Sequence, residues 1–223
     1  MARYDRDYSV TEIKTMIAIS ERKPHPYNPG NVGHAFRDHH GISDSDLIAK
    51  NKSAFIISQQ TNATGTYLDP AMIGQTWRMK IRTVSDQPFV VAKILNSSFG
   101  QAALKLLNVA MGARMTIHAN PVSGPGGNFN IRVKSGGAVD ASGQVKHVVL
   151  VVDNGGRDSG KDYLHFVTAY PTNGADYKFK FGPQVPRTRP GVEFYTENGR
   201  KSLYLWSSDN QEADGQLNLL LLA

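Results

Sequence analysis

The strongest constraint on this chain is a change of pattern at Gly112. Before it, apolar residues recur at helical spacing behind capping signals. After it, short β-type runs alternate with glycine-rich turns. Ser9-Val10-Thr11-Glu12 has capping-box spacing and leads into Ile13, Met16, Ile17 and Ser20, which predicts a short helix. Pro24-His25-Pro26-Tyr27-Asn28-Pro29-Gly30 reads as a loop, because each proline fixes φ and removes a donor. Ser43 and Asp46 predict a cap for a helix over Asp44–Lys52, and Asp69-Pro70 one for Ala71–Ile81. Pro88 opens a further helix through Phe89, Val90, Ile94 and Leu95. Ser98-Phe99-Gly100-Gln101 reads as a fresh cap before Leu104, Leu107 and Met111.

Beyond Gly112 the expected strands are Arg114–Asn120, Asn128–Lys134, Lys146–Val152, Tyr163–Tyr170, Tyr177–Phe181, Val192–Thr196 and Ser202–Trp206. His147–Val152 is almost wholly apolar, as a strand covered on both faces would be. Asp153-Asn154-Gly155-Gly156 reads as the turn into an antiparallel partner, and Glu197-Asn198-Gly199-Arg200 as a hairpin. Helices first and strands afterwards predict an α+β domain.

Composition narrows the chemistry. With no cysteine there is no disulfide framework, thiolate zinc site or cysteine nucleophile. No apolar run approaches the ~20 residues that cross a bilayer, and no targeting segment stands out. The net charge of +6 lies wholly before Ala175, since six basic and six acidic residues cancel from there on. A basic body suits a polyanionic partner, and equally a merely soluble basic protein.

Of seven histidines, three crowd into Gly33-His34-Ala35-Phe36-Arg37-Asp38-His39-His40-Gly41. Imidazole exchanges protons near neutral pH, so a general base or acid is one reading. A metal site using Asp38 is the rival, weakened because the adjacent pair His39-His40 does not easily converge on one ion. Simple packing or helix capping is the third. Lys50, eleven residues after His39 near a helix end, could return a cation to the same pocket, and is otherwise a solvated helix residue. Thr168 and Tyr170, two apart in a strand, face one side; they could hold phosphate or ribose, or be ordinary strand residues. Gly124-Pro125-Gly126-Gly127-Asn128 lacks the lysine and helix of a phosphate loop, and no nucleophile elbow is present.

The order Gly33-His34, His39, Gly41, Ser43-Asp44 and Leu47 resembles the opening signature of the RNase A-like toxin domain at the C-termini of bacterial contact-dependent growth inhibition proteins. Ser53-Ala54-Phe55, the helix pair around Asn96, and Thr168-Ala169-Tyr170-Pro171 resemble its later landmarks. The resemblance spans about residues 30–173 and implies an α+β fold, N-terminal helices followed by a twisted antiparallel β-sheet. It implies that His39, Lys50, Thr168 and Tyr170 form the site, with Lys50 standing where the family often has arginine. His34 is implied as structural or secondary; His40 stands where an aliphatic residue is more usual, and Arg37 is the next basic candidate.

The implied reaction is metal- and cofactor-independent attack of an RNA 2′-hydroxyl on the adjacent phosphate, leaving a 2′,3′-cyclic phosphate. The implied setting is an antibacterial toxin, delivered from the producing bacterium to act in the target-cell cytoplasm on RNA, tRNA included, and held by a tight-binding immunity protein. The expected division is residues 1–29 as helix and proline-rich loop, 30–174 as the catalytic domain, and 175–223 as a β-rich extension packed on it. The Met1 start suggests a separately expressed unit. The rivals are a metal-dependent His-type nuclease, an ADP-ribosyltransferase toxin, and a non-catalytic RNA-binding module.

Overall fold

A computed structural model describes residues 4–40, 43–50, 53–55, 57–60, 82–109, 114–119, 131–135, 138–140, 147–172, 191–197 and 200–206. In chain order the elements are α1 (Val10–Ser20), β1 (Pro24–His25), β2 (Asn28–Val32), α2 (Ala35–His39), α3 (Asp44–Lys50), β3 (Ser53–Phe55), β4 (Ile57–Gln60), β5 (Arg82–Ser85), α4 (Asp86–Asn96) and α5 (Ser98–Val109). They continue with β6 (Arg114–Ala119), β7 (Ile131–Ser135), β8 (Ala138–Asp140), β9 (His147–Asp158), β10 (Lys161–Thr172), β11 (Gly191–Glu197) and β12 (Arg200–Trp206). The chain is thus mixed helix and strand, with most helices before most strands.

Local signals explain the helix starts. Ser9 and Glu12 form the reciprocal capping box: the Ser9 hydroxyl accepts from the Glu12 N–H at 3.2 Å, and Glu12 Oε2 accepts from the Ser9 N–H at 2.9 Å. Ser43 likewise accepts from the Asp46 N–H at the start of α3. The cap of α5 falls one residue before the expected one. Ser97 Oγ accepts from the Gly100 N–H at 3.0 Å, while the Gln101 side chain reaches away to the carbonyls of Arg6 and Leu95.

Five strands form the main sheet in the order β10-β9-β6-β12-β11. All neighbours run antiparallel except β6 and β12, which are parallel, so the sheet is mixed rather than wholly antiparallel as expected. The reason is topological: the β11–β12 hairpin enters beside β6, which already has β9 on its other edge. Two further corrections follow from backbone geometry. The proline-rich segment makes a short, irregular hairpin, β1 with β2, instead of a plain loop. Gly155 and Gly156 lie inside β9, where Gly155 takes a φ of +81° at an irregularity, and the true turn is Ser159-Gly160. The helix expected over Ala71–Ile81 and the strand over Tyr177–Phe181 lie outside the described residues, as does the end of the α5 run at Gly112.

One face of the sheet carries the core. Phe166, Val152, Met115 and Leu203 stand in register across four strands, and so do Ala169, Leu150, Ile117 and Leu205. All eight are fully buried, against Ile13 and Ile17 of α1, Val90, Ile94 and Leu95 of α4, and Phe99, Leu104 and Leu107 of α5. Each such side chain contributes about 1.5–3 kcal/mol of transfer free energy. Asn96, at the end of α4, clips the N-terminal segment to this core by exchanging hydrogen bonds with the backbone of Tyr8 at 2.9 Å each. No helix among the described residues is long and apolar enough to cross a membrane.

Candidate functional site

The opposite face of the sheet is polar, and a bulge creates its key feature. Leu164 and Phe166 face the core, so strict alternation would send Thr168 and Tyr170 there too. The β10–β9 register shifts between Phe166 and Thr168, where two steps on β10 match one on β9. This single extra residue reverses the phase: Ala169 enters the core, and Thr168 and Tyr170 turn to the other face. Register then sets two rows on that face. Thr168 lies beside Val151 and Thr116, with Tyr204 beyond; Tyr170 lies beside Val149 and His118.

The segment carrying His39 is fastened to the outer edge of β10. The His34 N–H donates to the Val167 carbonyl at 3.0 Å. At Gly33 a β-carbon would stand 2.3 Å from the Phe166 carbonyl oxygen, so only glycine permits this approach. The Glu21 carboxylate accepts from the N–H groups of Phe36 and Arg37 at 2.7 and 2.8 Å, an acceptor at the first turn of α2. His39, on the last turn, is then 7% exposed, its ring centroid 5.2 Å from that of Tyr170 and 6.0 Å from that of His34.

The structure therefore brings together His39, His34 and Tyr170, with Thr168 on the same strand face as Tyr170. Thr168 is 7% exposed, and its hydroxyl has no hydrogen-bond partner among the described residues. Burial pushes the Tyr170 phenol above its ordinary value, so it stays protonated and acts as a donor. Lys50 is described only as the last residue of α3; its side chain lies outside the described residues. Arg37 turns outward, 59% exposed beside Asp38. His40 turns away from His39 and packs its ring against Phe36 at 5.2 Å; burial, reinforced by Lys14, lowers its pKa. The neighbours His39 and His40 thus diverge, as their adjacency on α2 dictates. Among the described residues no group of three or more histidine and carboxylate side chains is placed to hold a metal ion.

Two residues that the sequence reading passed over belong to this setting. His118, 5% exposed, lies on the site face two strands from Tyr170, about 10 Å away at ordinary strand spacing. Its only signal in the sequence was alternation with Ile117 and Ala119. Gln87 lies beneath the site, and its only signal was a glutamine inside an apolar helix run.

A second histidine–tyrosine group occupies the other end of the same face. His165, Asp153 and Arg114 stand in register across β10, β9 and β6. Arg114 donates to both Asp153 oxygens, at 2.8 and 3.1 Å, and the Tyr163 hydroxyl is 3.1 Å from His165 Nδ1. His25, from the β1–β2 hairpin, sets its ring edge-on to His165 with centroids 5.1 Å apart. Burial first, then the charges of His25 and Arg114, pushes His165 down to about 4. Compared with protein-family models, with curated proteins and with solved structures, the chain finds no match.

Proposed function

We propose that this protein is a metal-independent endoribonuclease of the RNase A-like toxin type, with His39, Thr168, Tyr170 and Lys50 as its working residues. The observation that carries the reading is the His39–Tyr170 ring contact, made between a helix and a strand far apart in sequence. An imidazole that can accept a proton and a phenol held protonated by burial supply a base and an acid to one site.

In the proposed step His39 takes the proton of the RNA 2′-hydroxyl as the 2′-oxygen bonds to the adjacent phosphorus. The bond from phosphorus to the 5′-oxygen breaks, and Tyr170 donates a proton to that oxygen. The products are a 2′,3′-cyclic phosphate and a 5′-hydroxyl. Thr168, whose buried hydroxyl has no partner among the described residues, binds a non-bridging phosphate oxygen. Lys50 supplies positive charge to the phosphorane, a point charge where arginine would give a fork. His34 holds the His39 ring from its other side.

The same reading carries a fold of the RNase A-like toxin kind, RNA (tRNA included) as substrate, an acidic immunity protein as partner, and action in the cytoplasm of a target bacterium after delivery. The +6 charge supports the polyanionic substrate. The test is incubation of the purified protein with total RNA, with and without chelator, followed by end-group analysis. Cleavage indifferent to chelator, leaving cyclic phosphate ends and weakened in Lys50→Ala more than in Lys50→Arg, is the expected result. Cleavage abolished by chelator would instead establish the metal-dependent nuclease; RNA binding without cleavage would establish the non-catalytic module.

A further inference from the structure

Gln87 is the second residue of α4, and its side chain is fully buried. A buried amide in an otherwise apolar helix face costs free energy unless its polar atoms are used. Both uses here are long-range. Nε2 donates to the Ala35 carbonyl at 2.9 Å and to the Ala169 carbonyl at 2.8 Å. Two carbonyl acceptors fix the orientation of the amide, since only its NH2 end can satisfy both. Oε1 is left without a hydrogen-bond partner among the described residues. The fold therefore tolerates an orphan acceptor in order to keep the two donations.

Those two carbonyls belong to the two halves of the site. Ala35 opens α2, one helical turn before His39, and its carbonyl is the one an α-helix pairs with the His39 N–H. Ala169 lies between Thr168 and Tyr170 on β10. A single NH2 group thus ties the backbone under His39 to the backbone under Tyr170. A further tie, from the His34 N–H at the cap of α2 to the Val167 carbonyl, lies at the bulge itself, one residue before Thr168.

We infer that Gln87 is a positioning residue, which sets the separation between the His39 imidazole and the Tyr170 phenol without touching substrate itself. The inference deepens the nuclease reading and, where it concerns rate, rests on it. Gln87→Met keeps length and apolar bulk but has no donor, so α2 can shift against β10. A misplacement of about 1 Å costs on the order of 10²-fold in rate.

The experiment has two arms on the intact chain. In the first, kcat and KM are measured on a dinucleotide. Gln87→Met is expected to lower kcat by on the order of 10²-fold with KM nearly unchanged, because substrate contacts are intact and only the acid–base spacing is lost. Gln87→Asn keeps the amide but shortens it by one carbon, and recovers part of the rate. In the second arm the His39 ring protons are followed by NMR through a pH titration, which needs no catalysis. The expected result is a change of chemical shift and of titration midpoint, since the ring current and polarity of Tyr170 no longer lie at the same distance. If the wild-type protein cleaves no RNA, the nuclease reading falls and the NMR arm still decides the role of Gln87. Should Gln87→Met not fold, Gln87→Asn is read the same way. A folded variant with wild-type kcat and unshifted His39 signals overturns the inference.

Discussion

Two histidine–tyrosine pairs share strand β10 and the same face of the sheet, and they are built for opposite purposes. At one end His165 meets Tyr163, the Arg114–Asp153 ion pair and His25, and its Nδ1 and its neighbours' charges are committed to one another. At the other end the buried His39 meets the half-buried Tyr170, on the strand face of a threonine hydroxyl with no partner among the described residues. The first pair is closed around protein groups and fixes the hairpin to the sheet. The second leaves the Thr168 hydroxyl without a partner among the described residues, where a ligand can supply one. The composition of the two clusters is similar, but the first is built around the Arg114–Asp153 ion pair, although Nε2 of His25 and of His165 have no hydrogen-bond partner among the described residues, and the second around a ring contact.

The largest expected break in this contrast is at His39. His39→Ala should lower the RNA cleavage rate by about 10²–10⁴-fold while circular dichroism shows the fold retained; a wild-type rate would remove His39 from the mechanism. The corresponding change at the closed end should strike stability instead. Asp153 is fully buried, so Asp153→Ala strands the Arg114 guanidinium and should cost about 3–5 kcal/mol in denaturant unfolding. The fraction that remains folded should cleave RNA normally. A rate loss exceeding the folded-fraction loss would mean that the two ends are coupled.

The pH dependence sharpens the same contrast. His165 has a folded pKa of about 4, below its unfolded value, so the unfolded state binds the extra proton between the two. Stability contributed by neutral His165 is complete above about pH 6.5 and is lost as pH falls toward 4, by on the order of 2 kcal/mol after allowance for solvent screening. Its lowered neighbour His25 acts in the same direction. Chemical denaturation of wild type and His165→Phe across that range checks it: an acid loss that persists in the variant assigns the effect elsewhere. The rate should behave differently. Tyr170 acts as an acid whose pKa burial has raised, so kcat/KM should show no Tyr170-dependent fall below pH 10. A bell closing near neutrality would transfer the acid role from Tyr170 to His118.

The smallest expected effects compare the two phenols directly. Tyr163→Phe loses one hydrogen bond to His165 and should cost about 1 kcal/mol of stability with no change in rate. Tyr170→Phe should leave stability within about 1 kcal/mol, since its ring packing is kept, and lower kcat by about tenfold or more. Equal rate losses in the two variants would erase the distinction between the ends.

What the sequence made legible is what local chemistry decides. The Ser9–Glu12 box, the Ser43 cap and the strand character of β6, β9, β10, β11 and β12 follow from spacings of a few residues. Gly155-Gly156 misled because a glycine at positive φ serves a strand irregularity as well as a turn, and only the pairing partner tells them apart. The proline-rich hairpin was hidden because its prolines remove the donors that mark a strand. At the site, His39 and Tyr170 were named through a resemblance, while the periodicity of β10 alone left Thr168 and Tyr170 as ordinary strand residues. Gln87 and His118 were beyond reach for a different reason. Their significance depends on which elements become neighbours across the sheet, which no spacing within α4 or β6 encodes.

The parallel pairing of β12 with β6 sets the order of assembly. On the ribosome β6, β9 and β10 emerge first and can form a three-stranded sheet over the helices, but one edge of β6 then stays unfilled. That edge is a row of unpaired backbone groups in a strand with one apolar face, open to wrong partners. It is closed only when residues 200–206 arrive, after a long chain loop whose closure is slow. The expected final step of folding is a docking event at a sheet edge, and a nascent chain halted before β12 should aggregate more readily than the full chain, which a light-scattering comparison of the two checks.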